Sequence, residues 1–189
     1  MFKQGSGFWR GRSCLWLARG LLSVVLCGPF PLLDAAAAPS EGELRAAVIV
    51  AIMRFTSWDT VSPEKPVLDV CLLGKPVSGE VLLAISGEQK VATRTLNVRS
   101  AQTDLDQCQA LVIGEDVDDD EYEQLIAQTN GQSILTVCDG CRRGLGEDAI
   151  IQLRLRQQRV SFEVNLARAR NNNVALDAQL LELASLVRR

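Results

Sequence analysis

The chain has 189 residues, a net charge of −3 and 47% hydrophobic residues, the balance of a folded protein with room for one core. It contains no histidine, which excludes Ser-His-Asp and Cys-His nucleophilic mechanisms and every zinc site built on imidazole. An isoelectric point near 5.1 excludes the basic footprint of a nucleic-acid-binding domain.

Lys3, Arg10 and Arg12 precede an apolar stretch from Leu15 to Leu33, and small residues from Ala35 to Ala38 follow. A basic head, a short apolar body and a small-residue exit make a secretory signal peptide. The longest unbroken apolar run lies between Gly20 and Gly28, well short of the roughly 20 residues that a spanning helix needs. With the cut placed after Ala37, residues 1–37 are expected to be removed and residues 38–189 to form one exported domain. That leaves 152 residues, a net charge of −6 and four cysteines: Cys71, Cys108, Cys138 and Cys141.

Ser40 with Glu43 three residues on is a capping box. Leu44, Val48, Ala51, Ile52 and Phe55 then recur at helical spacing, predicting a helix that ends near Thr56–Trp58. Val67 to Leu73, between Pro66 and Gly74, is a buried strand. Val77, Val81, Leu82 and Ile85 predict a second helix stopped by Gly87. Val91 to Arg99 and Ala110 to Ile113 read as strands. Glu115, Asp116, Asp118, Asp119, Asp120, Glu121 and Glu123 crowd the start of a helix running through Leu125 and Ile126, where exposed N–H groups favour negative charge. They lack the alternating aspartates and central glycine of a calcium loop.

Ser133 to Val137 is a further strand leading into Cys138. Ile150 to Arg156 and Arg159 to Asn165 alternate as a hairpin. Ile151, Leu153, Leu155, Val160, Phe162 and Val164 lie on one side, with Arg154, Arg156, Arg159 and Glu163 on the other. The apolar residues from Val174 to Val187 predict a closing helix. The expected fold is α/β: a single layered domain with a mixed β-sheet flanked by helices, then a C-terminal hairpin and helix.

Four cysteines in an exported domain point to two disulfides, and the natural pairing among three connectivities is Cys71 with Cys108 and Cys138 with Cys141. Closing the longer loop stabilises by about 4 kcal/mol in the chain-entropy model. The four-residue ring restrains far less chain and is expected to be the more easily reduced. Cys138-Asp139-Gly140-Cys141 follows a strand, as a thioredoxin-like motif does, but the last proline is Pro76, so no cis-proline from later in the chain faces it. Zinc on four thiolates loses to oxidation in that compartment.

No catalytic constellation, metal cluster or cofactor site can be assembled from these residues. Gly144-Leu145-Gly146 lacks the later glycine and helix start of a dinucleotide loop. Arg142, Arg143, Arg154, Arg156 and Arg159 concentrate positive charge in an acidic protein, either to steer an acidic partner or as a solvated hairpin face. Trp58 is a candidate interface anchor or a packed half-buried ring. Glu163 and Asn165 are either partner contacts or, respectively, the ion-pair partner of Arg154 and the cap of the last helix.

Several segments together resemble the YfiR-like periplasmic proteins. These are Phe55-Thr56-Ser57-Trp58, Cys71-Leu72-Leu73-Gly74, Cys108-Gln109-Ala110-Leu111-Val112-Ile113-Gly114, Ile134-Leu135-Thr136-Val137, Phe162-Glu163-Val164-Asn165-Leu166 and Ala175-Leu176-Asp177-Ala178-Gln179-Leu180-Leu181-Glu182-Leu183-Ala184. The resemblance implies regulation without catalysis: binding to the periplasmic domain of an inner-membrane diguanylate cyclase, with lower cyclic-di-GMP and less biofilm as the result. It also implies an outer-membrane lipoprotein that sequesters the repressor, a homodimer, and a response to disulfide state. Cys71 and Cys108 match that family's bridge, whereas Cys138 and Cys141 lie closer together than its second bridge. A periplasmic small-ligand-binding module is the alternative expectation, and a thiol-disulfide enzyme a third.

Overall fold

The computed structural model describes residues 38–58, 65–101, 105, 107–141 and 148–189. The signal-peptide segment, Arg142, Arg143 and the Gly144–Gly146 loop lie outside the described residues.

Helix α1 (Glu41–Arg54) starts at the expected capping box: Ser40 Oγ accepts from the Glu43 N–H at 3.2 Å, and Glu43 Oε2 accepts from the Ser40 N–H at 2.6 Å. These bonds to Ser40, backbone first and side chain second, hold the Glu43 carboxyl below its ordinary range. Ala46, Ile49, Val50, Ile52 and Met53 bury the inner face. The helix stops at Arg54, earlier than expected, and Thr56–Trp58 forms strand β1.

Strand β2 (Val67–Leu73) is buried on both faces, as its unbroken apolar run requires. Helix α2 (Gly79–Ala84) is a shorter version of the expected helix. The single strand expected from Val91 to Arg99 is two, β3 (Lys90–Val91) and β4 (Arg94–Ser100), paired antiparallel. Ala92 turns the chain between them in the left-handed region, at φ 53°. Strand β5 (Ala110–Ile113) and helix α3 (Asp119–Gln128) follow, with Asp118 as the cap that accepts from the Glu121 N–H. Strand β6 (Leu135–Cys138) starts two residues late because Ser133 is left-handed, at φ 55°.

Strands β7 (Ile151–Arg156) and β8 (Arg159–Asn165) form the expected hairpin, with Ile151 opposite Val164, Leu153 opposite Phe162 and Leu155 opposite Val160. The closing helix is not continuous. Helix α4 (Leu166–Asn171) precedes it, and in its place stand strand β9 (Val174–Leu176), helix α5 (Ala178–Leu183) and strand β10 (Leu186–Arg188). Asn173 turns left-handed at φ 54°, and Asp177 caps a new helix by accepting from the Gln179 N–H. Both devices break the helical run that the apolar spacing suggests.

Eight strands form one mixed sheet in the order β10-β8-β7-β6-β5-β2-β4-β3, and β1 with β9 forms a separate antiparallel pair. Strands β4, β2, β5, β6 and β7 run parallel. One core lies on the α1 side and includes Leu68, Val70, Val112, Leu135 and Val137. The other, with Cys71, Leu73, Leu111, Ile113, Tyr122 and Leu125, lies under α3. Among the described residues no helix is long and apolar enough to cross a membrane.

Candidate functional site

The chain goes from β2 to β4 on one side and then to β5 on the other. That reversal opens a crevice at the carboxyl ends of the strands, where doubly wound sheets take their ligands. Here the crevice is closed by the chain itself. A side chain on Gly114, just past β5, would overlap the Lys75 carbonyl carbon and the Pro76 nitrogen of the loop after β2. Behind that contact lies Asp139, fully buried in the Cys138–Cys141 segment. Its Oδ1 accepts from Arg45 Nη1 at 2.8 Å, and its Oδ2 accepts from the backbone N–H and hydroxyl of Ser78. Arg45 also reaches Glu41, Nε to Oε1 at 2.7 Å. A buried carboxylate needs such partners to stay charged, so α1, the start of α2 and the cysteine segment are joined at one anion.

A second polar cluster occupies the opposite end of β2. Trp58 is 9% exposed; its ring N–H donates to the Gln109 carbonyl at 2.8 Å, and the Arg94 guanidinium lies 5.6 Å from the ring centroid. Gln109 Oε1 accepts from the Asp69 N–H at 2.7 Å. The Asp69 carboxylate accepts from Lys65 Nζ and Asn97 Nδ2, each at 2.6 Å. Burial works against charge on Asp69, but the hydrogen bonds from Lys65 and Asn97, with the charges of Lys65 and Arg99, outweigh it and hold the carboxyl below 3.8. Trp58 is therefore packed and bonded within this cluster.

The other three side chains expected at a contact share the outer face of the hairpin. Register puts Gln152 opposite Glu163, Arg154 opposite Ser161 and Arg156 opposite Arg159. Glu163 takes Arg188 Nη2 at 2.8 Å on one oxygen and Arg154 Nε at 3.5 Å on the other. The Asn165 side chain accepts from the Arg168 N–H at 3.0 Å, capping α4 rather than the last helix. Arg154, Arg156, Arg159 and Arg188 against Glu163 leave this face strongly basic.

The hairpin also projects. Strand β6 ends at Cys138, opposite Gln152, and β10 pairs only with residues 163–165. Leu153 and Phe162 are still buried in the core, and the Ser185 N–H and hydroxyl donate to the Phe162 carbonyl. Beyond them, among the described strands, the last three residues of β7 and first three of β8 pair only with each other, an arm of about 10 Å at strand rise. Its two-residue turn, Gln157 and Gln158, has φ of 49° and 60°. Such turns favour Asn-Gly, and a left-handed residue with a Cβ costs roughly 1–2 kcal/mol. Arg156 and Arg159, both exposed, face each other across the strands just before that turn. On the α1 side of the tip a cleft of about 510 Å³ is lined by Ala38, Pro39, Glu41, Leu44, Leu155 and Gln158.

The two disulfides pair Cys71 with Cys108 and Cys138 with Cys141, at Cα separations of 5.8 and 5.5 Å. The first ties β2 to the chain entering β5, in the core under α3. Among the described residues no three His, Cys, Asp or Glu side chains converge as metal ligands. The Arg45–Asp139–Ser78 junction was not foreseen; its one sequence signal is an arginine among the apolar residues of α1.

Residues 42–185 match the protein family described as YfiR/HmsC-like. No curated protein matches the chain.

Proposed function

The chain belongs to the YfiR/HmsC-like family, and from that premise we propose that it is a periplasmic regulator that binds the periplasmic domain of a membrane-bound diguanylate cyclase and restrains it. The family match over residues 42–185 carries the reading. Control is by occupancy: the bound regulator favours the inactive arrangement of the cyclase, and its release shifts the population back. Cyclic-di-GMP and biofilm fall while the complex persists. The two disulfides and the export signal in residues 1–37 support a periplasmic location.

The filled crevice supports a protein partner over a small ligand, because the usual ligand position is taken by Arg45, Asp139 and Ser78. The small-ligand alternative would need a site elsewhere. Arg154, Glu163 and Asn165 are proposed to shape the contact from the hairpin face, with Trp58 a supporting residue behind β2. The proposal extends to a homodimer and to an outer-membrane lipoprotein that draws the regulator off the cyclase.

The test is co-purification of residues 38–189 with the periplasmic domain of a cyclase encoded beside it, together with cyclic-di-GMP in a deletion strain. A complex, and a rise on deletion, are expected. No complex and unchanged cyclic-di-GMP would overturn the reading.

A further inference from the structure

We propose that the projecting tip of the β7–β8 hairpin, with the cleft beside it, is the docking surface for an acidic, apolar-anchored peptide segment of the partner protein. The segment crosses the tip: carboxylates meet Arg156 and Arg159 while an apolar side chain enters the cleft between Leu44 and Leu155. This deepens the regulatory reading and rests on it for the identity of the partner.

Three observations converge on the tip. It carries two left-handed glutamines and a directly opposed arginine pair, and like charges so placed destabilise a hairpin. The left-handed conformation is what a two-residue hairpin turn needs, but glutamines in place of Asn-Gly, and arginines opposed beside them, add nothing to the fold, and strained backbone concentrates at ligand clamps. Neither arginine has an ion-pair partner among the described residues, in a chain whose net charge is −3. Leu155, two residues before the turn glutamine Gln157, is 38% exposed and lines the cleft with Leu44, Pro39 and Ala38.

The ligand chemistry follows from that combination. An inorganic anion would satisfy the arginines and leave the apolar cleft open, and an apolar ligand would ignore the arginines. A peptide bearing carboxylates next to a leucine-like side chain uses both. The carboxylate in the cleft wall, Glu41, is already paired with Arg45 and does not oppose it.

Arg156→Glu separates binding from folding. It replaces the like-charge pair with an opposite-charge one, so the melting temperature should hold or rise while affinity for the cyclase periplasmic domain falls about tenfold or more. Leu155→Ser should weaken binding independently of salt, and wild-type binding should weaken as salt rises. If wild type binds and Arg156→Glu and Leu155→Ser bind equally well, the tip inference is wrong and the regulatory reading stands. If wild type does not bind the cyclase domain, that reading falls, and a labelled synthetic peptide of alternating glutamate and leucine tests the tip alone. Its loss of affinity with Arg156→Glu supports the inference, and unchanged affinity overturns it. Equal or tighter binding of wild type to anionic vesicles, or tip-dependent self-association through the acidic start of α3, also overturns it.

Discussion

Replacing Arg45 by methionine keeps the length and helix propensity of the side chain and removes one charge from the junction at Asp139. Asp139 is fully buried and would keep only its two bonds from Ser78. Breaking a buried pair by deleting one partner costs about 3–5 kcal/mol, because the remaining charge is left uncompensated. The lost contact with Glu41, whose side chain is 42% exposed, adds no more than about 0.5 kcal/mol. For a domain of this size each kcal/mol lowers the midpoint by about 2–4 °C, giving a fall of about 6–20 °C. Urea unfolding of residues 38–189 measures the free energy directly. The double variant Arg45→Met, Asp139→Asn removes both charges and should recover most of the loss. A single variant within about 1 kcal/mol of wild type, or a double variant no better than the single, would refute the argument that this pair is held by mutual compensation.

Replacing Cys71 and Cys108 by serine should cost about 4 kcal/mol in urea, from a separation of 37 residues, against about 2 kcal/mol for Cys138 and Cys141 with a separation of 3. Gly114→Ala should fail to accumulate folded protein, since the added methyl meets backbone atoms of Lys75 and Pro76 that cannot rotate away; a soluble variant with a wild-type melting temperature contradicts the closed crevice. Asp69 has a lowered folded pKa, so its contribution is present above the ordinary value of 3.8 and is lost as pH falls through the lower folded value. Asp69→Asn should therefore show a smaller drop in urea midpoint than wild type between about pH 5 and pH 3.

The parts of the fold that were legible in the sequence are those governed by one local rule. The Ser40–Glu43 box set the start of α1, continuous apolar runs set β2 and β5, and alternation set the β7–β8 register. The region after Asn165 misled because β9, α5 and β10 are each so short that their apolar residues fall by accident at helical spacing. The signals that divide them, a left-handed Asn173 and the Asp177 cap, are weaker than the periodicity they interrupt. The ion pair of Arg154 with Glu163 was legible because both lie on one hairpin. The link from Arg45 to Asp139 spans 94 residues and that from Ser78 to Asp139 spans 61, distances at which a single sequence carries no pairing information.

The β1–β9 pair has a kinetic consequence. Ser57 lies opposite Ala175, so this closure waits for almost the whole domain to emerge, and contacts so distant along the chain form slowly. Trp58 ends β1 and is the only tryptophan in residues 38–189. Its fluorescence in refolding therefore reports the docking of β1, both its pairing with β9 and the seating of the ring on Gln109 and Arg94, while far-ultraviolet circular dichroism follows the assembly of the sheet.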